Sequence, residues 1–474
     1  MPALDILRLS EHESETYGQD LGLLFAASGD LGNIVKTVAA IPRTYSHSVL
    51  VTINDIDFDI VARNAIMLLV AITEPDKEHA ADCMLHIWYS SNIQQKHLEF
   101  LEAKIRPLIE DVVLEIACQA AGSLQGKTWK FGNKTFRLTL VKEQWSALLR
   151  YLEVPTGVTE AVARHVRTAV TMARRDHLDN SYVAQLPPRR VCIERFRTNG
   201  ILLPFGESTD AFNIPNPTFY HTAAWPMMDS ANPLDGWDRR EVLRISSGLA
   251  TNDLYGKLVT YLTRLFSDFH SVLQSHTSTF SLFNMDVGSL PHHLPKDSFA
   301  RIEVSNIVDG AYLGIEKTLG LLGPLLQPPS VNPHAAMLTL FMNAVPEMLE
   351  EDHGDIAEDE LKFAIQYMDI FDPAQLLGGN KLAAFSTELI RVLGASVLVR
   401  DVDKYFNMYM QEHKFDTFPA LFQMVMKEPN TIIEKWPLRL KSLPHEIGAK
   451  EEFSTILSTP YTGIERYIEW SRTK

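Results

Sequence analysis

Alternation between apolar runs and glycine- or proline-containing breaks divides the N-terminal part of the chain into strands and helices. The apolar run at residues 21–27 predicts a strand buried on both faces, and the break that follows contains Gly29 and Gly32. Apolar residues then recur at helical spacing before a second, β-branched strand at residues 48–53, which ends in Asn54 and Asp55. Strand, glycine turn, helix and a strand ending in an acid are typical of the first half of a nucleotide-binding βαβ unit.

A second strand-rich block lies at residues 276–346. Its pattern predicts strands at residues 280–286, 299–307 and 335–345 and a helix at residues 313–326, joined by loops short enough for an α/β sheet. We therefore predict that this block completes the first sheet. Right-handed crossovers place the strand of residue 21 at the centre, the strands of residues 48 and 280 on one side, and those of residues 299 and 335 on the other.

The predicted fold is α/β, with a Rossmann-like, mostly parallel sheet split by a large insertion and followed by a mostly helical C-terminal region. Residues 1–20 are expected to form a loosely held N-terminal arm, and residues 21–120 and 276–346 the two halves of the core. Residues 121–275 are expected to form an inserted cap of a hairpin, helices and proline-rich loops, exposed near Pro187–Pro188 and Asn232–Pro233. Residues 347–474 form the C-terminal region.

Composition and charge narrow the classes of function. The chain has 474 residues, a formal net charge of -15 and a pI near 5.5, which argue against a nucleic-acid partner because phosphate contacts need clustered basic residues. Its apolar runs are shorter than the roughly 20 residues that span a bilayer, and no signal pattern opens the chain. We expect a cytoplasmic protein without a membrane segment. Its three cysteines, Cys83, Cys118 and Cys192, predict buried free thiols.

Three positions suit a nucleoside ligand. Backbone could approach it at the turn of Gly29 and Asp30, Asp55 is placed to accept from ribose hydroxyls, and Asp286 ends another predicted strand on the adenine side. A competing interpretation, which the sequence alone favours, makes Asp55 the N-terminal cap of the next helix, with Asp57 and Asp59 as acids stabilised by the helix dipole.

Metal and hydrolase chemistry have weaker support. Asp55, Asp57 and Asp59 lack the glycine and the final glutamate of a calcium loop, although Asp55-Ile56-Asp57 stays open as a divalent-metal motif of sugar transferases. His292 and His293 have no acid or cysteine spaced beside them for a metal site, so no metal is predicted. No G-x-S-x-G, H-E-x-x-H or P-loop motif occurs.

The motifs together resemble known families. The strand, turn and acid pattern, joined to residues 283–291 and 299–306, resembles the core of class I S-adenosylmethionine methyltransferases. Residues 24–30, Asn54-Asp55 with residues 62–64, and residues 85–90 look like the fungal domain-of-unknown-function 4470 family, which is similar to the axonemal dynein assembly factor three family. The resemblance implies a methyltransferase-like fold, with Gly29 at the glycine turn, Asp55 as the ribose acid and Asp286 as the adenine-side acid.

Departures from the methyltransferase pattern shape the functional expectation. Ala27 and Leu31 stand where active enzymes have further glycines, Ser305-Asn306-Ile307 replaces an amine-methylation signature, and three cysteines are too few for the zinc module found in many family members. We therefore expect a degenerate core that serves as an interaction or assembly factor with protein partners and binds S-adenosylmethionine weakly or not at all. The alternative is an S-adenosylmethionine-dependent methyltransferase.

Overall fold

A computed structural model describes residues 1–14, 17–173, 179, 182–220, 232–351, 358–368 and 387–473. Two sheets hold the described strands, and β3 and β6 form a small separate pair. The strands are β1 (Leu21–Phe25), β2 (Val49–Asp55), β3 (Asn92–Ile93), β4 (Leu124–Phe131), β5 (Lys134–Val141), β6 (Ile214–Pro215), β7 (Ser278–Asn284), β8 (Arg301–Glu303), β9 (Ala336–Phe341), β10 (Met424–Met426) and β11 (Arg466–Arg472).

The described helices surround the large sheet. In chain order they are α1 (Gly32–Ala39), α2 (Phe58–Thr73), α3 (Lys77–Tyr89), α4 (Gln95–Phe100), α5 (Arg106–Glu115), α6 (Lys142–Leu148), α7 (Glu160–Ala173), α8 (Pro187–Asn199), α9 (Arg239–Arg244), α10 (Leu254–Ser275), α11 (Gly314–Leu322), α12 (Ala344–Glu351), α13 (Glu358–Ile365), α14 (Thr387–Val399), α15 (Asp403–Glu412), α16 (Phe418–Leu421) and α17 (Ala449–Leu457). A search of the described helices finds none with the length and apolar character needed to cross a membrane.

The large sheet has the order β10-β11-β9-β8-β1-β2-β7-β5-β4. Strands β9, β8, β1, β2, β7 and β5 run parallel, whereas β11 is antiparallel to β9 and β10, and β4 is antiparallel to β5. The α/β class and the predicted positions of the five core strands are therefore confirmed. Their common direction brings the carboxyl ends of β1, β2, β7 and β8 to one edge of the sheet.

Segments that were predicted outside the core contribute four further strands. The hairpin β4–β5 was expected in the inserted cap, but β5 lies parallel to β7, with Phe136 beside Phe280. The C-terminal region was expected to be mostly helical, and it also supplies β10 and β11, with Trp470 beside Met337. The core sheet thus extends at both edges beyond the strands that the sequence predicted.

Side chains on the two faces of the sheet pack into different clusters because successive strand residues point to opposite faces. On the first face, Leu23, Val51 and Phe280 pack into one core with α1, α2, α3 and α10. On the second face, Leu24, Ile302 and other side chains of β1, β8 and β9 pack against α11 and the C-terminal region. Each face therefore has its own hydrophobic core.

Helix α3 has no one-sided apolar pattern in its sequence. It runs for thirteen residues, and the Asp76 carboxylate caps its N-terminus by accepting from the backbone N–H groups of Glu78 and His79. Nine of its residues are buried, including Trp88 and the polar His86. A helix covered on most sides lacks the one-sided apolar spacing on which sequence prediction depends.

The prediction of a loosely held N-terminal arm is wrong. Ile6 and Leu7 are buried in the first-face core, and Glu13 forms a bidentate ion pair with Arg301 of β8 at 2.7 and 3.0 Å. The Arg301 guanidinium also donates to the carbonyl oxygens of Ile6 and Leu7. Both charged side chains are fully buried, so the arm is an integral part of the sheet's surroundings.

The predictions of cysteine burial and of loop exposure are each confirmed only in part. Cys83 and Cys192 are buried as predicted, but Cys118 is exposed. Pro187 and Pro188 are exposed, whereas Pro233 is buried, so the predicted exposure near that residue is wrong.

Candidate functional site

The glycine turn after β1 is fixed by side chains from neighbouring segments. Gly29 has φ +57° and open space where a side chain would lie. Its N–H donates to Asp55 Oδ2 at 2.9 Å, and its carbonyl oxygen accepts from Asn64 Nδ2 at 2.8 Å. Asp30 Oδ1 accepts from the N–H of Gly32 at 2.8 Å. The turn therefore has a defined shape without a ligand.

Asp55 lies behind this turn. While Oδ2 binds Gly29, Oδ1 accepts from the N–H of Asp57 at 2.9 Å, so one buried carboxylate links the loops after β1 and β2. Burial raises the pKa of Asp55, and the hydrogen bonds from Asp57 and Gly29 oppose this shift. Asp55 does not cap α2 as the competing interpretation held. Asp57 is the cap, since its Oδ1 accepts from the N–H groups of Asp59 and Ile60.

Asp286 lies at the same carboxyl edge, two residues beyond β7, but it is exposed and accepts from the N–H of Gly288 at 2.8 Å. Two asparagines instead join the strand ends. Asn54 Nδ2 donates to the carbonyl oxygens of Ala26 and Met285 at 3.0 and 3.1 Å. Asn284 Nδ2 donates to those of Asp55 and Ile56, both at 2.9 Å. These amides bridge strands at an edge where acids were expected to face a ligand.

A cavity of about 610 Å³ lies at the carboxyl ends of β1, β2 and β8. Gly29 and Asp30 line it as predicted, whereas Asp55 lies behind the turn and Asp286 lies elsewhere on the edge. Four carboxylates line this cavity, those of Asp30, Asp57, Asp235 and Glu303. Asn64 and the side chains Tyr89, Tyr461 and Tyr467 add hydroxyl and amide groups. The structure thus keeps the predicted turn and supplies different acids.

Glu303 is the most unusual of these acids. It ends β8, is 3% exposed, and accepts from the N–H of Ser305 through Oε1 at 2.7 Å. Its Oε2 has no hydrogen-bond partner within the described residues. Burial raises the pKa of this carboxyl to about 7, although the Ser305 N–H and the Asn33 side chain oppose the shift. A buried acceptor without a partner suits a ligand group that carries a proton or a positive charge.

Sequence reasoning did not select Glu303. The residue lies inside the segment that carried the resemblance, and it follows the apolar Ile302 of a buried strand. The available signal was an acid at the end of a strand next to the central strand, the same signal that selected Asp286. Glu303 therefore differs from Asp286 in that other segments of the chain bury it, and the local sequence does not show this burial.

Arg63 lines the same cavity, but its guanidinium is committed elsewhere. It donates to the carbonyl oxygens of Trp88 and Thr218 at 2.9 and 3.2 Å, and it lies 4.2 Å from the centre of the Phe219 ring. Burial lowers the pKa of Arg63 to about 9. These contacts tie α2 to α3 and to the segment after β6, so this cation serves the fold of the cavity wall.

The tyrosines that line the cavity are held neutral. Burial raises the pKa of Tyr89 and of Tyr467 well above the usual value. Tyr89 Oη accepts from Trp237 Nε1 at 2.9 Å, and Tyr461 Oη donates to the carbonyl oxygen of Asp235. Their hydroxyl groups place polar atoms around an otherwise acidic space.

Leu31 and Ala27, the residues on which the prediction of weak ligand binding rests, do not line the cavity. Leu31 is fully buried in the first-face core, and the cavity lining in the described chain includes neither residue. Substitution of glycine by these two residues therefore does not narrow this cavity.

No metal centre is found in the portion of the chain that the structure describes, where no three His, Cys, Asp or Glu side chains lie close enough to share an ion. His292 and His293 lie in a 3₁₀ turn, Leu290–His293. Both Asp55 oxygens and Asp57 Oδ1 already accept backbone N–H groups, which disfavours the divalent-metal interpretation of Asp55-Ile56-Asp57.

Comparison with known proteins adds one finding. Residues 1–93 match the family model of a domain of unknown function, DUF4470. This confirms that part of the resemblance, and the matched residues include the N-terminal arm, the glycine turn, β2, α2 and α3. No curated protein and no solved structure matches the chain.

Proposed function

We propose that the cavity binds a small cationic nucleoside of the S-adenosylmethionine class and that the sheet around it is a methyltransferase-like core. The observation that carries this proposal is the set of four carboxylates, one of them with an unpartnered buried oxygen, next to a glycine turn. Because opposite charges attract strongly where water is excluded, such a cavity favours a positively charged ligand.

The position of the cavity supports a ligand site. Open α/β sheets bind ligands outside the carboxyl ends of their strands, where the order of strands reverses. Here the chain passes from β1 to β2 and β7 on one side and returns to β8 and β9 on the other, so the reversal lies between β1 and β8. Gly29 follows β1 and Glu303 ends β8, and both line the cavity. The same strand order supports the methyltransferase-like core.

The charge of the cavity lining favours a cationic nucleoside over a dinucleotide. A pyrophosphate needs donors or cations, but both terminal nitrogens of Arg63, which lines the cavity, donate to backbone carbonyl groups instead. Acids at Asp30, Asp57 and Asp235 would repel phosphates at close range. A sulfonium or ammonium group has the opposite preference.

The residues would divide the work by position. Glu303 Oε2 would accept from, or pair with, the cationic end of the ligand, because it is the buried oxygen without a partner. The Asp57 carboxylate at the N-terminus of α2 is placed for ribose hydroxyls, the role that sequence assigned to Asp55. At Gly29 the absence of a side chain allows backbone to approach the ligand. Bound S-adenosylmethionine would supply an activated methyl group.

Isothermal titration calorimetry with S-adenosylmethionine and its demethylated product tests this assignment. We expect the sulfonium compound to bind more tightly, and Glu303→Gln to weaken it at least about tenfold, equivalent to 1.4 kcal/mol. Asp286→Asn is the matched control, since Asp286 is an acid at the same edge that does not line the cavity. Absence of binding up to about 1 mM, or equal loss in both variants, contradicts the proposal.

A second candidate function is that of an interaction or assembly factor. The observation that favours it is the Asp55 carboxylate, whose two oxygens hold the loops together rather than face the cavity. This candidate predicts that protein partners bind whether or not the nucleoside does. Calorimetry that detects no nucleoside, together with capture of a defined protein partner, would favour it over the cavity proposal.

A further inference from the structure

Among the described residues, no helix packs over part of the second face of the sheet. The connection from β7 to β8, residues 285–300, contains one 3₁₀ turn and no α-helix. The second-face core lies over β1, β8 and β9, and from the neighbouring strands β2, β7, β5 and β4 it includes only Phe283. On this face Leu50 of β2 is 40% exposed and Leu124 of β4 is 41% exposed. Strands β2, β7, β5 and β4 therefore present side chains to solvent.

A groove of about 400 Å³ crosses this uncovered area. Thr52, Ser281 and Arg137 lie side by side on β2, β7 and β5, since Thr52 pairs with Ser281 and Ser281 pairs with Arg137. Thr139, two residues further along β5 and therefore on the same face, lines the same groove. Its hydroxyl oxygen has no hydrogen-bond partner among the described residues, although the residue is only 4% exposed.

Arg137 is the charged group of this groove. Its guanidinium lies over Gly126 of β4, where an added Cβ would be 3.1 Å from Nη2 and 3.5 Å from Thr139 Oγ1. Within the described residues Arg137 makes no hydrogen bond or ion pair, and the groove lining contains no acid. Glycine at position 126 thus leaves room for a free guanidinium beside an unpartnered hydroxyl.

Apolar side chains surround this polar centre. Leu50 and Leu124 flank it, and Phe283, Leu294 and Phe299 form the rest of the apolar lining. A small free anion would leave these groups uncovered, whereas a carboxylate attached to apolar neighbours would contact both kinds of surface. The chain as a whole carries a charge of -15, so this groove differs in charge from the chain's average and favours an acidic ligand.

From these contacts we propose that the groove binds a short acidic segment of a partner protein, with an Asp or Glu carboxylate on Arg137 and apolar residues against Leu50 and Leu124. Arginine and carboxylate pair through two parallel hydrogen bonds, and Thr139 Oγ1 can donate a further one. Lys130 lies further along the same face of β4, outside the groove lining, and adds a second positive charge to this face. Two basic residues are too few for a nucleic acid. The proposal does not depend on the cavity, which lies at the carboxyl edge of the sheet.

Fluorescence anisotropy with a labelled ten-residue peptide of alternating leucine and glutamate tests this site. The full chain is expected to bind it, and Arg137→Glu is expected to weaken binding at least tenfold. Arg264→Glu is the matched control, since it reverses an exposed arginine on α10, away from the groove. Gly126→Ala is a second variant that should also weaken binding, because its methyl group would displace the guanidinium.

Two further probes identify what the groove recognises. A peptide of alternating leucine and lysine and a peptide of glutamate alone should both bind at least tenfold more weakly than the first. Thermal unfolding of each variant, compared with the unchanged chain, shows whether it is folded. Equal binding by Arg137→Glu or by the glutamate peptide would overturn the proposal, as would failure of the leucine-glutamate peptide to bind up to about 1 mM.

Discussion

The cavity and the groove belong to one sheet but differ in the charge of the side chains that line them. Carboxylates from strand ends and loops converge on the cavity, where Glu303 is buried and its Oε2 has no partner among the described residues. Side chains from four neighbouring strands form the groove, where Arg137 is exposed. At the strand ends, loops from distant segments of the chain bring their residues together. On the face of the sheet, the residues that lie side by side are those that the pairing of neighbouring strands aligns. The cavity therefore forms because other segments of the chain cover the strand ends, whereas the groove forms where no described helix packs over the sheet.

The N-terminal arm provides much of that covering. Arg301 lies in β8 only two residues before Glu303, and its ion pair with Glu13 holds the arm whose Ala3 lines the cavity. No described residue of the arm lines the groove, whose flanking residues Leu50 and Leu124 are exposed.

Removing the buried ion pair should have the largest effect on this comparison. We expect Arg301→Ala to lower the free energy of unfolding by about 3–5 kcal/mol, because Glu13 would keep a buried charge without its partner. Urea denaturation measures the loss. The double variant Glu13→Gln, Arg301→Met should be less destabilised than Arg301→Ala. If Arg301→Ala costs as little as a surface substitution, the arm does not cover the cavity as described.

Glu303 should make stability depend on pH in an unusual direction. Burial raises its pKa to about 7 in the folded chain, above the usual value of 4.5, so the folded state holds this proton more tightly. Its contribution to stability is therefore fully present below pH 4.5 and is lost as the pH rises through about 7. At pH 8 we expect Glu303→Gln to be more stable than the unchanged chain by about 1–3 kcal/mol.

The comparison of urea denaturation curves at pH 5 and pH 8 checks the sign of this effect. Asp286→Asn is the control again, since Asp286 is exposed. A Glu303→Gln variant that is less stable than the unchanged chain at pH 8 would show that the carboxylate has a stabilising partner there.

The smallest effect is expected on the uncovered face. Leu50→Ala should change the free energy of unfolding by less than about 0.5 kcal/mol, because the side chain is already partly in water. Ile53→Ala, three residues further along β2 and fully buried on the first face, should cost about 2–5 kcal/mol. Similar losses for the two variants in urea denaturation would mean that something covers Leu50.

The features of the fold that could be predicted from the sequence are those that depend on residues close together in the chain. The order of the five core strands could be predicted because each strand could be recognised from its local sequence and the crossovers have one handedness. The hairpin β4–β5 was visible as a pair, but its attachment to β7 depends on contacts such as Phe136 with Phe280. Strand β11 has mixed polar and apolar residues in a helical region, and only its pairing with β9 identifies it.

The candidate site was predictable to a similar extent. Gly29 was found because a left-handed turn needs glycine, a local requirement. Asp55 was found as a residue but not in its role, since the two N–H groups that it accepts lie in different loops. Glu303 and Asp286 are equivalent in local sequence. They differ because the cavity lining around Glu303 includes Ala3, at the start of the chain, and Tyr467, near its end.

The most direct test of the central claim is the affinity for S-adenosylmethionine, measured by calorimetry at pH 6 and at pH 8. Only the deprotonated Glu303 carboxylate can pair with a cation, so with its pKa at about 7 we expect binding to tighten about tenfold between these values. Glu303→Gln should show weaker binding with no such change. Binding that is absent at both values, or that is equally tight at both in the unchanged chain, would contradict the assignment of this cavity to a cationic nucleoside.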